Sequence, residues 1–258
     1  MRRAARVLLL ALLVTSSARA ADYVAIPGAW FRSALALDQT AARVDIEPLR
    51  MRARLVTVGE YLAFLRRQPE WRRDRVPTLL AQPGYLASWA GPLDPGSGTP
   101  LDRPVTQVSW FAARAYCASE NARLPDWYEW EYVAAADAQH RDARGDALRN
   151  AAILAAVQAA TGDYPQRVGL RPANAYGVFD ANRLVWEWTG DYAAMFPDAD
   201  TRAPGGAAGL RLCGGSALAF ADREQYALVM RVAALTALKP MAGAPRVGFR
   251  CVRDGHGR

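Results

Sequence analysis

The chain has 258 residues, of which 52% are hydrophobic and 22% charged, with a mean hydropathy of −0.10. That is enough apolar side chain for one well-cored domain and too much for a disordered chain. The formal charge of +7 does not mark a nucleic-acid binder: Arg2, Arg3, Arg6 and Arg19 supply four of the seven charges, and the other arginines are scattered among acids without interleaved aromatics.

The first residues are Arg2 and Arg3, an apolar run from Val7 to Val14, then Ala18-Arg19-Ala20. A basic start, a short apolar run and a small-x-small end describe a secretory leader over residues 1–20. The domain is then expected over 21–258, in the periplasm or secreted. The apolar run is too short for a bilayer span, and no later stretch is long and continuous enough, so no membrane insertion is expected once the leader is removed.

Thr57-Val58-Gly59-Glu60 forms a capping box, opening a helix that buries Tyr61, Phe64 and Leu65. The stretch 77–104 is rich in Pro, Gly and Ser and reads as a long ordered loop. Ser109 is the expected N-cap of a helix through Tyr116, with Asn121 placed to end it in a left-handed turn. Asp126 and Glu129 make a second capping box, for a helix whose Trp127, Trp130 and Val133 read as core. Residues 147–160 form an alanine-rich helix with Ile153, Leu154 and Val157 on one stripe. From Val168 onward, short segments separated by turn residues suggest strands and loops. The class is α+β, with few helices, short strands and much irregular structure.

The most telling stretch is Asn174-Ala175-Tyr176-Gly177-Val178-Phe179-Asp180, followed by Leu184-Val185-Trp186-Glu187-Trp188-Thr189. Trp186 and Trp188 alternate with Glu187 and Thr189, the period of a strand with a buried aromatic face and an outward polar one. Asp180 and Glu187 flank a short turn, so two hard carboxylates can converge there. With turn carbonyls they would offer the oxygen-only ligands that calcium prefers, roughly six to eight of them; as solvated loop charges they would do nothing. The three cysteines are Cys117, Cys213 and Cys251. In an exported chain two of them can pair, and spacing does not choose which.

This segment resembles the Asn-x-x-Gly-Leu-Tyr-Asp-x-x-Gly-Asn-Val-Trp-Glu-Trp signature of formylglycine-generating enzymes, the sulfatase-modifying factors. The resemblance runs through most of the chain. Tyr23-Val24-Ala25-Ile26-Pro27-Gly28 is similar to the family's opening strand, and Val56 to Tyr61 to the start of its first helix. Pro104 to Trp110, Ala115-Tyr116-Cys117, Arg123-Leu124-Pro125 and Glu129-Trp130-Glu131-Tyr132 follow in the family's order. Cys213-Gly214-Gly215-Ser216 and Gly248-Phe249-Arg250-Cys251 are similar to its Arg-Gly-Gly-Ser and Gly-Phe-Arg-Cys elements. The resemblance implies a C-type-lectin-like fold, a Cys117–Cys251 disulfide, and calcium held by Asp180, Glu187 and the carbonyls of Arg183 and Val185. It also implies an irregular loop with a first calcium site near 147–160, for which no acid and carbonyl pattern is found here.

The family's enzymes oxidise a substrate cysteine to formylglycine with copper held by two cysteines after the Gly-Gly-Ser turn; two thiolates suit the soft Cu(I) ion. Between Ser216 and Arg250 this chain has no cysteine. Iron-dependent relatives use a histidine-rich site, and here only His140 and His256 are present, too few for a two-histidine, one-carboxylate triad. Whether copper or iron occupies the groove is left open. The polar candidates nearest that groove are Cys213, Asp222, Glu224, Tyr226 and Arg231, which read equally as an inert buried thiol and a solvated helix face. The expectation is an exported modification or maturation factor acting on a protein or peptide-derived partner, without conventional formylglycine chemistry. The alternative is a non-catalytic, calcium-stabilised binding module for a protein or glycan.

Overall fold

The computed structural model describes residues 23–34, 43–159, 167–191, 228, 231–232, 235 and 238–255. The expected leader, and Cys213, Asp222, Glu224 and Tyr226, lie outside the described residues.

Four short strands open the fold: β1 (Tyr23–Ile26), β2 (Ala29–Arg32), β3 (Arg43–Ile46) and β4 (Leu49–Arg52). β1 pairs antiparallel with β4, Tyr23 opposite Arg52, and β2 with β3. The chain end returns as β7 (Val252–Asp254), antiparallel on the other side of β4 with Leu49 opposite Asp254. β4 is thus flanked by strands from both ends of the sequence, and its inward residues Leu49 and Met51 are buried with Ile26 and Val252.

The helices start where their caps put them. In α1 (Val58–Arg67), Glu60 N–H donates to Thr57 Oγ1 at 3.3 Å, and Thr57 N–H to Glu60 Oε2 at 2.8 Å. Ser109 Oγ accepts from Ala112 N–H at the start of α2 (Trp110–Ser119), and Asn121 closes that helix with φ +52°. Asp126 N–H donates to Glu129 Oε2 at 2.8 Å before α3 (Trp127–Ala134). α4 (Ala147–Ala159) matches the alanine-rich segment, with Ile153 buried. Where the family resemblance implies an irregular loop, this chain has a helix, because alanine loses no side-chain entropy in helical geometry.

α1 and α2 meet around an aromatic centre. Tyr61 stacks on Tyr116 with ring centroids 5.8 Å apart, and Phe249 packs edge-on to Tyr116 at 5.3 Å. Arg52, 3% exposed, reaches from β4 beneath this cluster to ion-pair with Glu60 of α1 and with Glu120 after α2 at 2.6 Å. The Cys117–Cys251 disulfide, Cα atoms 5.5 Å apart across 134 positions of sequence, ties α2 to the run leading into β7. This is the pairing the resemblance implied.

The last pair is parallel: β5 (Trp186–Glu187) beside β6 (Val247–Gly248). Gly248 is required there, since a Cβ would come within 2.8 Å of the Val105 carbonyl oxygen. Among the described residues no helix is long and apolar enough to cross a membrane.

Candidate functional site

The alternation along 186–189 sets the site, but not as a two-sided strand. Glu187 and Thr189 are 0% and 1% exposed, as deeply buried as Trp188 at 0%, whereas Trp186 is only partly covered. The expectation of an outward polar face is therefore corrected. The reason is a partner the alternation could not show. Arg250 Nε donates to Glu187 Oε2 at 2.6 Å and its Nη2 to Oε1 at 3.2 Å, so a bidentate guanidinium neutralises the carboxylate out of water. Arg250 also donates to the Phe179 carbonyl at 3.1 Å, binding the turn before Asp180 to the same charge.

Backbone and indole groups fix the rest. Trp188 Nε1 donates to the Val108 carbonyl at 2.9 Å and Trp110 Nε1 to the Thr189 carbonyl at 2.7 Å. Arg231, among the expected groove residues, lies inward rather than on a solvated face. It is 1% exposed, its guanidinium 3.3 Å from the centre of the Trp130 ring, and its Nη2 donates to the Glu187 carbonyl at 2.6 Å. Burial presses that guanidinium well below its ordinary pKa, with the nearby Glu187 charge partly offsetting the effect. The solvated-face reading does not hold for this residue.

Asp180 sits in the left-handed region, φ +59°, and is 6% exposed. Its Oδ2 accepts from Gly169 N–H at 2.6 Å. Gly169 itself has φ +74°, and a Cβ there would lie 2.9 Å from Arg54 Nε, so glycine is what lets the loop reach the carboxylate. Burial raises the Asp180 pKa; the Gly169 hydrogen bond and Arg250 act the other way, while Glu187 adds repulsion. The two acids singled out in sequence thus lie within electrostatic reach of each other at the end of the 180–185 turn.

The fit of this turn to calcium can be read from its oxygens. Both carboxylates are present, and the Arg183 and Val185 carbonyls accept no hydrogen bond among the described residues. That all-oxygen set suits a hard cation. Against it, both Glu187 oxygens already serve Arg250, and no group of three or more His, Cys, Asp or Glu side chains among the described residues is disposed to hold a metal. A cation here would rest on two carboxylates, spare lone pairs on Glu187, and two carbonyls.

Two features were missed in sequence. The Gly-Phe-Arg-Cys run was read as a landmark, although a buried acid in a Trp-Glu-Trp strand demands a cationic partner and Arg250 was available. Glu131, in the Trp-Glu-Tyr run, is 1% exposed and accepts from Ser33 Oγ at 2.5 Å, Ala34 N–H at 2.7 Å and Trp127 Nε1 at 3.0 Å, fastening the segment after β2 to α3.

Residues 11–255 match the sulfatase-modifying factor enzyme 1-like domain family. The chain is 35% identical to the inactive C-alpha-formylglycine-generating enzyme 2 of Bos taurus over 189 residues, 68% of this chain and 59% of that protein. It is 33% identical to the formylglycine-generating enzyme of Streptomyces coelicolor over 59% of this chain and 53% of that one. Against the hercynine oxygenase of Mycolicibacterium thermoresistibile it is 33% identical over 64% of this chain and 40% of that protein. The chain therefore spans little more than half the length of the first two relatives. The solved structure of PvdO from Pseudomonas aeruginosa aligns over 90% of this chain and 94% of that one, with 17% identity and a TM-score of 0.49.

Proposed function

This chain belongs to the sulfatase-modifying factor enzyme 1-like family, with its α+β, formylglycine-generating-enzyme-like fold, and we propose that it is an exported modification or maturation factor for a periplasmic polypeptide or peptide-derived substrate. It would not be a conventional formylglycine generator. The observation that carries the reading is the absence of any cysteine between Ser216 and Arg250. In the formylglycine-generating enzymes the chain resembles, copper is held by two protein thiolates, ligands that suit Cu(I), and with Cys117 and Cys251 joined, Cys213 is the one remaining cysteine in the sequence. The leader-like first 20 residues support export, and the disulfide suits an oxidising compartment.

Calcium is proposed as a structural ion on the side chains of Asp180 and Glu187 and the carbonyls of Arg183 and Val185. Bound there, it would fix the turn that presents Trp186; Arg250 orients the Glu187 carboxylate through two hydrogen bonds, and Arg231 holds the Glu187 carbonyl. The second reading, a non-catalytic binding module, is favoured by the same missing thiolate pair. One experiment addresses both. The purified chain, incubated with copper, oxygen and a sulfatase-type Cys-x-Pro-x-Arg peptide, should give no aldehyde above the no-enzyme control, and aldehyde formation would refute the exclusion. Metal analysis of the same sample then separates the readings: stoichiometric copper or iron supports a factor with its own chemistry, calcium alone a binding scaffold.

A further inference from the structure

A cleft of about 250 Å³ opens beside the 180–185 turn, where the end of α3 faces the loop carrying Arg171. Its floor is apolar, with Ala136, Pro172, Val178 and Ala181, and its charged lining is Arg171, Arg183, Asp137 and Asp180. Each acid already accepts a hydrogen bond from a backbone amide. Asp137 Oδ1 accepts from the Gln139 and His140 amides, and Asp180 Oδ2 from the Gly169 amide. Neither guanidinium has a hydrogen bond or an ion pair among the described residues. Arg171 is exposed and Arg183 half-buried. Both line the same cleft, and the Asp180 charge acts on each of them, as Arg171 acts on Arg183. Two guanidiniums from the connection between α4 and β5 thus line one apolar cleft with donors that no described residue occupies.

Paired planar guanidiniums match an oxyanion bidentately, and an apolar floor suits a short hydrocarbon stem behind it. We propose that this cleft is a carboxylate-binding site, taking an acidic side chain or chain terminus of a peptide between Arg171 and Arg183. The proposal does not depend on the chemistry proposed above for this chain.

The test is a calorimetric titration with blocked glutamate (N-acetyl-glutamic acid amide), with blocked glutamine as its neutral isostere and inorganic phosphate as the stemless anion. Calcium is held fixed, since an ion on Asp180 would add to the attraction. Saturable binding of blocked glutamate is expected, weakened by added salt. Arg171→Gln and Arg183→Gln should each reduce affinity at least about tenfold, while Arg167→Gln, whose guanidinium lies outside the cleft at 3.5 Å from Asp102, should not. Should Arg183→Gln fail to fold, the exposed Arg171→Gln still decides the matter. Equal heats for blocked glutamate and blocked glutamine would overturn the proposal. So would unchanged affinity in the Arg171 variant, or saturation by phosphate alone.

Discussion

A carboxylate as deeply buried as that of Glu187 costs several kcal/mol unless it is paired and hydrogen-bonded, and Arg250 supplies both conditions through Nε and Nη2. Arg250→Met should therefore cost ~3–5 kcal/mol in urea unfolding, because it strands the charge. Combining it with Glu187→Gln should cost less than the sum of the single losses, by ~0.5–3 kcal/mol for residues in contact; strict additivity would show that the pair is not coupled. The same Glu187→Gln variant reports on calcium. An ion at about a hundred times its Kd stabilises by roughly 2.7 kcal/mol, so chelation should lower the melting temperature of the natural chain and have much less effect on the variant. A melting curve indifferent to chelator would remove calcium from the site. Glu131 offers a second measurement at this scale. Burial, outweighing its three hydrogen-bond donors, raises its pKa above the ordinary 4.5. The unfolded chain then releases this proton first, so the group's contribution to stability is full below about pH 4.5 and declines as pH rises through its folded value. Glu131→Gln removes that slope, and the difference between the two unfolding free energies should shrink as pH rises from 4 toward 7, on the order of 1 kcal/mol for each unit of pKa shift. A constant difference across that range would mean that Glu131 titrates as an ordinary carboxylate.

Helices and strands differ in how much of their placement is written locally. α1, α2 and α3 begin at Thr57, Ser109 and Asp126 because a short side chain meets orphan amides within three residues, a pattern visible in sequence and realised in all three. α4 was equally legible from its alanine run. The strands were not, since β5 and β6 are two residues each and are defined by partners about sixty positions apart. The burial of Glu187 was misread for that reason: alternation reports the two faces of a strand, but only a distant Arg250 decides that the polar face can also leave solvent. Arg231 was misplaced for a related one, its burial being set by the Trp130 ring on α3 rather than by its own neighbours. The Asp180–Glu187 convergence was legible because both residues flank one turn. The arginine pair at the cleft was not, as Arg171 and Arg183 lie well apart in one irregular stretch that folds back on itself through contacts such as the Gly169–Asp180 hydrogen bond.

At the scale of the whole molecule, the first and last described strands flank β4, and the Cys117–Cys251 bond fastens the run before the last strand to α2. Closing 134 positions of sequence removes much of the unfolded chain's freedom, worth on the order of 3–5 kcal/mol in the chain-entropy model. Both cysteines are 0% exposed, Cys117 packed among the α1–α2 aromatics and Cys251 next to Phe249. A reductant should therefore act slowly on the folded protein and readily on the unfolded one, so reduction should lower the urea midpoint mainly by populating unfolded molecules that cannot reclose the loop. Alkylation in denaturant without reductant should label one cysteine, which peptide mapping should place at Cys213, and three after reduction. Cys117→Ala with Cys251→Ala should reproduce the loss of stability seen on reduction, while Cys213→Ser should leave the midpoint near that of the natural chain. Free alkylation of Cys117 and Cys251 in protein recovered from an oxidising compartment would break the pairing, and would leave the β4–β7 contact to hold the chain end to the core by hydrogen bonds and packing alone.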